Sequence, residues 1–181
     1  MKPLREYRIP FLGLKPGHHE YEFQMTDTFF DEFENSEIDH ADIKVDLILE
    51  KQTNMMILQF DLSGEILSAC DRCGDDLNLP IHASEKLVVK LGDQTSPTDD
   101  DVVVLGPQEF ELDISQYLYE YAHLALPFRH VHQNTADCNQ EVLKALEKYR
   151  VDKTSNTQWA DLKNLNYEDP EDQEFFNEEE E

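Results

Sequence analysis

Only three cysteines occur among the 181 residues. A small, odd number argues against the paired disulfide framework of a secreted domain and for a reducing compartment. Basic residues are also scarce, with 15 Lys and Arg against 40 Asp and Glu and a formal net charge of -25. A field of that sign repels phosphate backbones and anionic membranes and attracts cationic partners, so stable direct binding of nucleic acid is not expected. No long apolar run is present, and the charged opening "MKPLREYRIPFLGLKPG" reads as neither a signal peptide nor a membrane span. The cytoplasm is the expected compartment. A glycine-rich phosphate loop, a G-x-S-x-G elbow and an H-E-x-x-H helix are absent as well, which removes the enzyme classes those motifs serve.

What is present suffices for one modest core: 39% of the residues are hydrophobic, ten of them phenylalanine. The clearest periodicity is two-fold. Ile43, Val45, Leu47 and Leu49 alternate with mostly polar neighbours, and Met56, Leu58, Phe60 and Leu62 repeat the pattern after a short polar turn, predicting a hairpin with one buried face. Gly64 suggests a bulge, and Ile66 resumes the apolar face. Leu77, Leu79 and Ile81, then Leu87, Val89 and Leu91, extend the meander with two further strands. Leu4 to Leu12 suits an edge strand, "YEFQM" a second one, and Val102 to Leu105 a last one beyond the acidic loop "GDQTSPTDDD".

Helical spacing appears in three places. Phe29, Phe30 and Phe33 lie in a stretch from Asp27 to Asp42 that holds seven acids and no Lys or Arg, and predict a short helix. Ile114, Tyr117, Leu118, Tyr121 and Ala125 form a stripe that Asp113 can cap, with Gln116 three residues on, and that Pro127 ends. Val142, Leu143, Leu146 and Tyr149 follow a cap at Asn139, and Trp159, Leu162 and Leu165 make a brief third turn. Tyr117, Tyr119 and Tyr121 are read as core and boundary packing, because their spacing divides them between helix faces. The fold expected is therefore α+β: a mostly antiparallel sheet, a meander that is open or barrel-like, with C-terminal helices packed on it. Residues 1–166 form one domain in this reading, and 167–181, which carry nine carboxylates in "EDPEDQEFFNEEEE", form a disordered acidic tail.

Cys70 and Cys73 stand three apart in "SACDRCGDDL", between strands, with Gly74 directly after them. Two thiolates on one tight turn can reach a single zinc ion, and a closed tetrahedral site then needs two more donors. Cys138 is the third thiol, and His132, with His130 as substitute, is the nearest imidazole. Two other readings stand beside structural zinc. The thiols can be inert residues closing a turn, or a redox pair, although that motif belongs at a strand-to-helix junction. The remaining histidines show no base partner at readable spacing.

"CDRCGDDL", "FELDISQYLYEYAHLALPFRHVH" and "TQWADLKNL" together resemble, in order, the motifs of the YceD-like family of bacterial large ribosomal RNA subunit accumulation proteins, over about residues 1–166. The resemblance implies a non-enzymatic cytoplasmic factor needed for normal levels of large-subunit ribosomal RNA. The positions matching the family motif are Cys70, Arg72, Cys73, Asp113, Glu120, Leu126 and Pro127. Gly74 departs from the family's usual leucine, and His132 with Cys138 stands where many members have a second cysteine pair. With the net charge, this suggests an acidic adaptor for a basic ribosomal or rRNA-processing protein. The rival readings are a zinc- or thiol-dependent enzyme using the Cys-x-x-Cys turn, and a homodimer formed through a sheet edge.

Overall fold

The computed structural model describes residues 4–34, 36–92, 96–97 and 102–150. After a 3-10 turn at Arg5–Tyr7, the elements are β1 (Arg8–Ile9), β2 (Gly17–Thr26), α1 (Asp27–Phe30), β3 (His40–Lys51), β4 (Met55–Ala69) and β5 (Asp76–Leu91). They continue as β6 (Ser96–Pro97), β7 (Val102–Leu105), β8 (Leu112–Asp113), α2 (Ser115–Leu124) and α3 (Gln140–Lys148). Six strands form one sheet in the order β2-β3-β4-β5-β7-β6, and β1 pairs with β8 in a separate two-stranded ribbon. The sheet is the predicted antiparallel meander from β2 through β5, open rather than closed into a barrel, and it departs from antiparallel only where β7 runs parallel to β5.

The two-fold periodicity produces the buried face directly. In the β3/β4 hairpin Val45 lies opposite Leu62, Leu47 opposite Phe60 and Leu49 opposite Leu58, and all six are buried. Full burial of such a side chain is worth roughly 1.5–3 kcal/mol. On the same face Tyr7, Ile9, Phe11, Phe29 and Phe30 join Leu118 and Ala122 of α2 in one core. Phe33 stacks on Tyr119 at 4.2 Å, Tyr7 meets Phe29 edge-on at 4.8 Å, and Phe60 touches Tyr121 at 5.4 Å. The three helix tyrosines 117, 119 and 121 all pack against this core.

Several expectations are corrected. The region Leu4 to Leu12 gives a two-residue strand rather than a long one, because Tyr7 and Ile9 turn inward and the ribbon is short: Arg8 pairs with Asp113 and Ile9 with Leu112. The helix expected after Asp27 is a single turn, and its first residue is held otherwise: the Asp27 carboxylate accepts from the Ala41 amide at 2.9 Å and faces His40 Nδ1 at 3.0 Å. The two strands read at Leu77 to Leu91 are one strand of 16 residues. Pro80 is tolerated within it because, among the described residues, β7 pairs with residues 88–91 and nothing pairs beside Pro80 on that edge, where its missing amide would point. Trp159, Leu162, Leu165 and the tail 167–181 lie outside the described residues. A second compact unit begins at Glu141, and α3 within it is an amphipathic helix with no buried residue.

Gly64 marks no bulge; the pairing runs unbroken through Ile43, Gly64 and Ile81. Its role is close approach. A Cβ at this position would lie 2.7 Å from Ile43 Cα, inside van der Waals contact, against backbone that cannot rotate away. Gly64→Ala is expected to cost about 1–3 kcal/mol, the range for overpacking a filled interior, read as a lower denaturant midpoint with an unchanged slope.

Candidate metal centre

The turn between β4 and β5 is built around the two cysteines. Cys70 N–H donates to Asp75 O at 2.8 Å and Gly74 N–H to Cys70 O at 2.8 Å, and Gly74 sits at φ +77°, where a side chain is disfavoured. The chain returns to this turn after α2. Asp71 N–H donates to His130 O at 2.7 Å, and the Asp71 carboxylate accepts from His130 N–H at 2.7 Å. Ser68 Oγ meets His130 Nδ1 at 2.9 Å. These bonds hold residues 130–138 against the turn, and a 3-10 turn at Thr135–Asp137, capped by Asn134, delivers Cys138.

The result is a convergence of four donors. One ligand atom each from Cys70, Cys73, His132 and Cys138 falls within 4.8 Å of the others. His132 Nδ1 lies 3.7 Å from both Cys73 Sγ and Cys138 Sγ. A tetrahedral zinc with bonds of about 2.3 Å to sulfur and 2.0–2.1 Å to nitrogen separates its ligand atoms by roughly 3.5–3.8 Å, which the two His132–cysteine separations match, while the set as a whole spans up to 4.8 Å. All three thiols are free, buried at 2%, 6% and 4% exposure, and outside the main hydrophobic core. Inert core cysteines sit among the apolar side chains of a core, whereas the sulfurs here lie within reach of one another and of the His132 ring.

Electrostatics differ among the thiols. Burial pushes the Cys70 thiol up, yet the backbone amides of His132, Arg72 and Cys73, with the His132 ring, outweigh it and bring the pKa down to about 6. Burial and the neighbouring Cys73 and Cys70 push the Cys138 thiol up, against a hydrogen bond from Arg72 Nη1 at 3.5 Å. Three thiolates around a dication would carry a net charge of -1, and the Arg72 guanidinium, 3.5 Å from Cys138 Sγ, lies where it would offset that charge. Among the described residues this is the group of His, Cys, Asp and Glu whose donors converge.

The other positions singled out in the sequence lie elsewhere. His130 is committed to Ser68 and the Asp71 backbone rather than to the cluster. Asp113 binds the start of α2, its carboxylate accepting from Ser115 N–H at 3.0 Å and Ser115 Oγ–H at 2.6 Å, and it pairs with Arg8 at 3.1 Å. Gln116, expected in a capping box, instead donates to Glu120 at 2.8 Å. Leu126 packs against the core and Pro127 is exposed, so these two mark the exit from α2 toward His132. Sequence reasoning missed Ser68 and Asp71, whose role is to pin the returning segment; neither carries a local signal, because the partner lies about sixty residues away.

No helix among the described residues is long and apolar enough to cross a membrane. Neither the curated proteins nor the solved structures gave a match. A family model described as large ribosomal RNA subunit accumulation protein YceD matches residues 58–166, which include both halves of the centre and the whole of α2. With more than half of its length matched, from near the start of β4 onward, the chain belongs to the YceD family of large ribosomal RNA subunit accumulation proteins.

Proposed function

We propose that this chain is a non-catalytic accessory factor in the accumulation of large-subunit ribosomal RNA. It acts as a cytoplasmic acidic adaptor for a basic ribosomal or rRNA-processing protein, with one structural zinc held by Cys70, Cys73, His132 and Cys138. What supports the non-catalytic reading is the number of donors that converge: four protein side chains are enough to fill a tetrahedral shell, whereas a catalytic zinc keeps one position for water or substrate. Zinc bound there supplies a cross-link between the β4/β5 turn and the segment after α2. The lowered Cys70 pKa supports the same reading, because a thiol must be ionised to bind metal.

The adaptor part rests on charge. With 40 acids against 15 basic residues, encounter with a cationic protein is accelerated at long range and encounter with bare RNA is slowed. The same field makes the interaction salt-dependent. Untagged full-length protein immobilised at low salt is expected to retain basic large-subunit or processing proteins, with capture falling about tenfold or more by 0.5 M salt. Retention of protein-free ribosomal RNA in place of basic protein would refute the adaptor.

A further inference from the structure

Charge steers encounter and disfavours wrong partners but adds little raw affinity, which a few buried apolar anchors supply, so an adaptor needs an apolar contact as well. The 16 residues from Tyr121 to Ala136 contain no Asp or Glu, in a chain with 40 of them. Within this window Leu124 is 73% exposed and Phe128 is fully exposed. The two lie four residues apart at the end of α2 and just beyond it.

This exposure is built in rather than frayed. On one side Leu126 N–H donates to His123 O at 3.2 Å, and Leu126 packs on the core. On the other, His130 is held through both its backbone groups to Asp71 and through its ring to Ser68. Residues 127–129 are thus fixed at both ends, and Phe128 points to solvent between two anchors. An aromatic side chain presented without loss of backbone freedom has the character of an interface hot spot. Asp71, which binds His130 two residues beyond Phe128, is exposed, as are Asp75, Asp76 and Asp137 around the metal centre, and the exposed Arg129 follows Phe128 in the chain.

We infer that Leu124 and Phe128 form the specificity contact of the adaptor: they enter an apolar pocket on a basic protein whose flanking Lys or Arg residues meet the acidic rim of the metal centre. The inference rests on the adaptor reading and adds the surface. Charge decides among the occupants. A second copy of the chain would bring another -25 toward the same face, and an RNA strand would set its phosphates against the rim aspartates, whereas a basic protein is attracted by both features.

The test is photo-crosslinking from benzoylphenylalanine placed at position 128 of the full-length chain in its native host, with the same group at position 48, on the opposite face of the sheet, as control. The expected result is one dominant crosslinked protein rich in Lys and Arg, obtained from position 128, not from position 48, and lost in 0.5 M salt. Phe128→Ala, and separately Leu124→Ala, should weaken capture of that protein at least about tenfold, with melting temperature and zinc content unchanged, and should lower the ratio of large- to small-subunit ribosomal RNA. Crosslinks only to RNA or to a second copy would overturn the inference. If the wild-type chain captures a basic protein and both variants capture it equally well, this surface is wrong and the adaptor reading stands. If the wild-type chain captures no basic protein, the adaptor reading falls and this inference falls with it.

Discussion

Cys73→Ser is expected to abolish stoichiometric zinc binding, lowering affinity on the order of 100-fold or more, and to unfold the centre while leaving the sheet intact. A serine hydroxyl is a poor replacement for thiolate at a soft, tetrahedral site, and loss of one of four ligands opens the shell to water and chelator. The damage is local because Cys70, Cys73 and Cys138 are buried outside the main core, which Ile43, Leu47, Leu58, Phe60 and Leu118 build without them. In hydrogen exchange the amides of Asp71, Gly74 and His130 should lose protection, while those of β3 and β4 keep it. Chelation of the wild-type chain should reproduce the same pattern. Unchanged protection at Gly74 and Asp71 after complete metal removal would mean that hydrogen bonds alone hold the turn.

Leu118→Ala should do the converse. Leu118 is fully buried on the face of α2 that meets the sheet, and deletion of such a side chain typically costs about 2–5 kcal/mol, more where the cavity cannot collapse. Here the surroundings include the long strands β3 to β5, which are cross-linked by their own register and have little freedom to move inward. The expected outcome is a marked fall in global stability by denaturant titration. Zinc release to a chelator should also accelerate, because α2 continues through Leu126 and Pro127 into the segment that carries His132 and Cys138. A Leu118→Ala chain that melts early yet loses zinc at the wild-type rate would separate the helix from the centre. The two variants together therefore distinguish a metal that holds the core from a core that holds the metal.

Strong local periodicity made the meander legible. From Ile43 to Leu49 and again from Met56 to Leu62 every second residue is apolar, a pattern that suits a half-buried strand, and the hairpin follows from the polar turn between them. The single strand β5 was read as two because its middle, Pro80 to Glu85, carries proline and polar side chains, and their tolerance depends on an unpaired neighbouring edge that no local pattern reveals. The parallel pairing of β7 with β5 and the short ribbon of β1 with β8 are long-range choices of the same kind. At Gly64 the sequence suggests a bulge, whereas the glycine serves close approach to the Asp42 and Ile43 backbone, which depends on which strand lies opposite.

The centre was legible in its ligand types and only partly in its selection. Cysteine spacing named Cys70 and Cys73, and scarcity named Cys138. His132 and His130 are two residues apart and chemically alike, and what distinguishes them is that Ser68 and Asp71 claim His130. The full exposure of Phe128 has no local signal in the sequence. Two backbone anchors keep it from turning inward, and both are tertiary.

Zinc-edge X-ray absorption on untagged full-length protein, purified without chelator and accompanied by metal analysis, tests the central claim most directly. The account predicts one zinc per chain, with three sulfur neighbours at about 2.3 Å and one nitrogen at about 2.0–2.1 Å. Substoichiometric metal, or a shell of oxygen and nitrogen in which sulfur is missing, would contradict it.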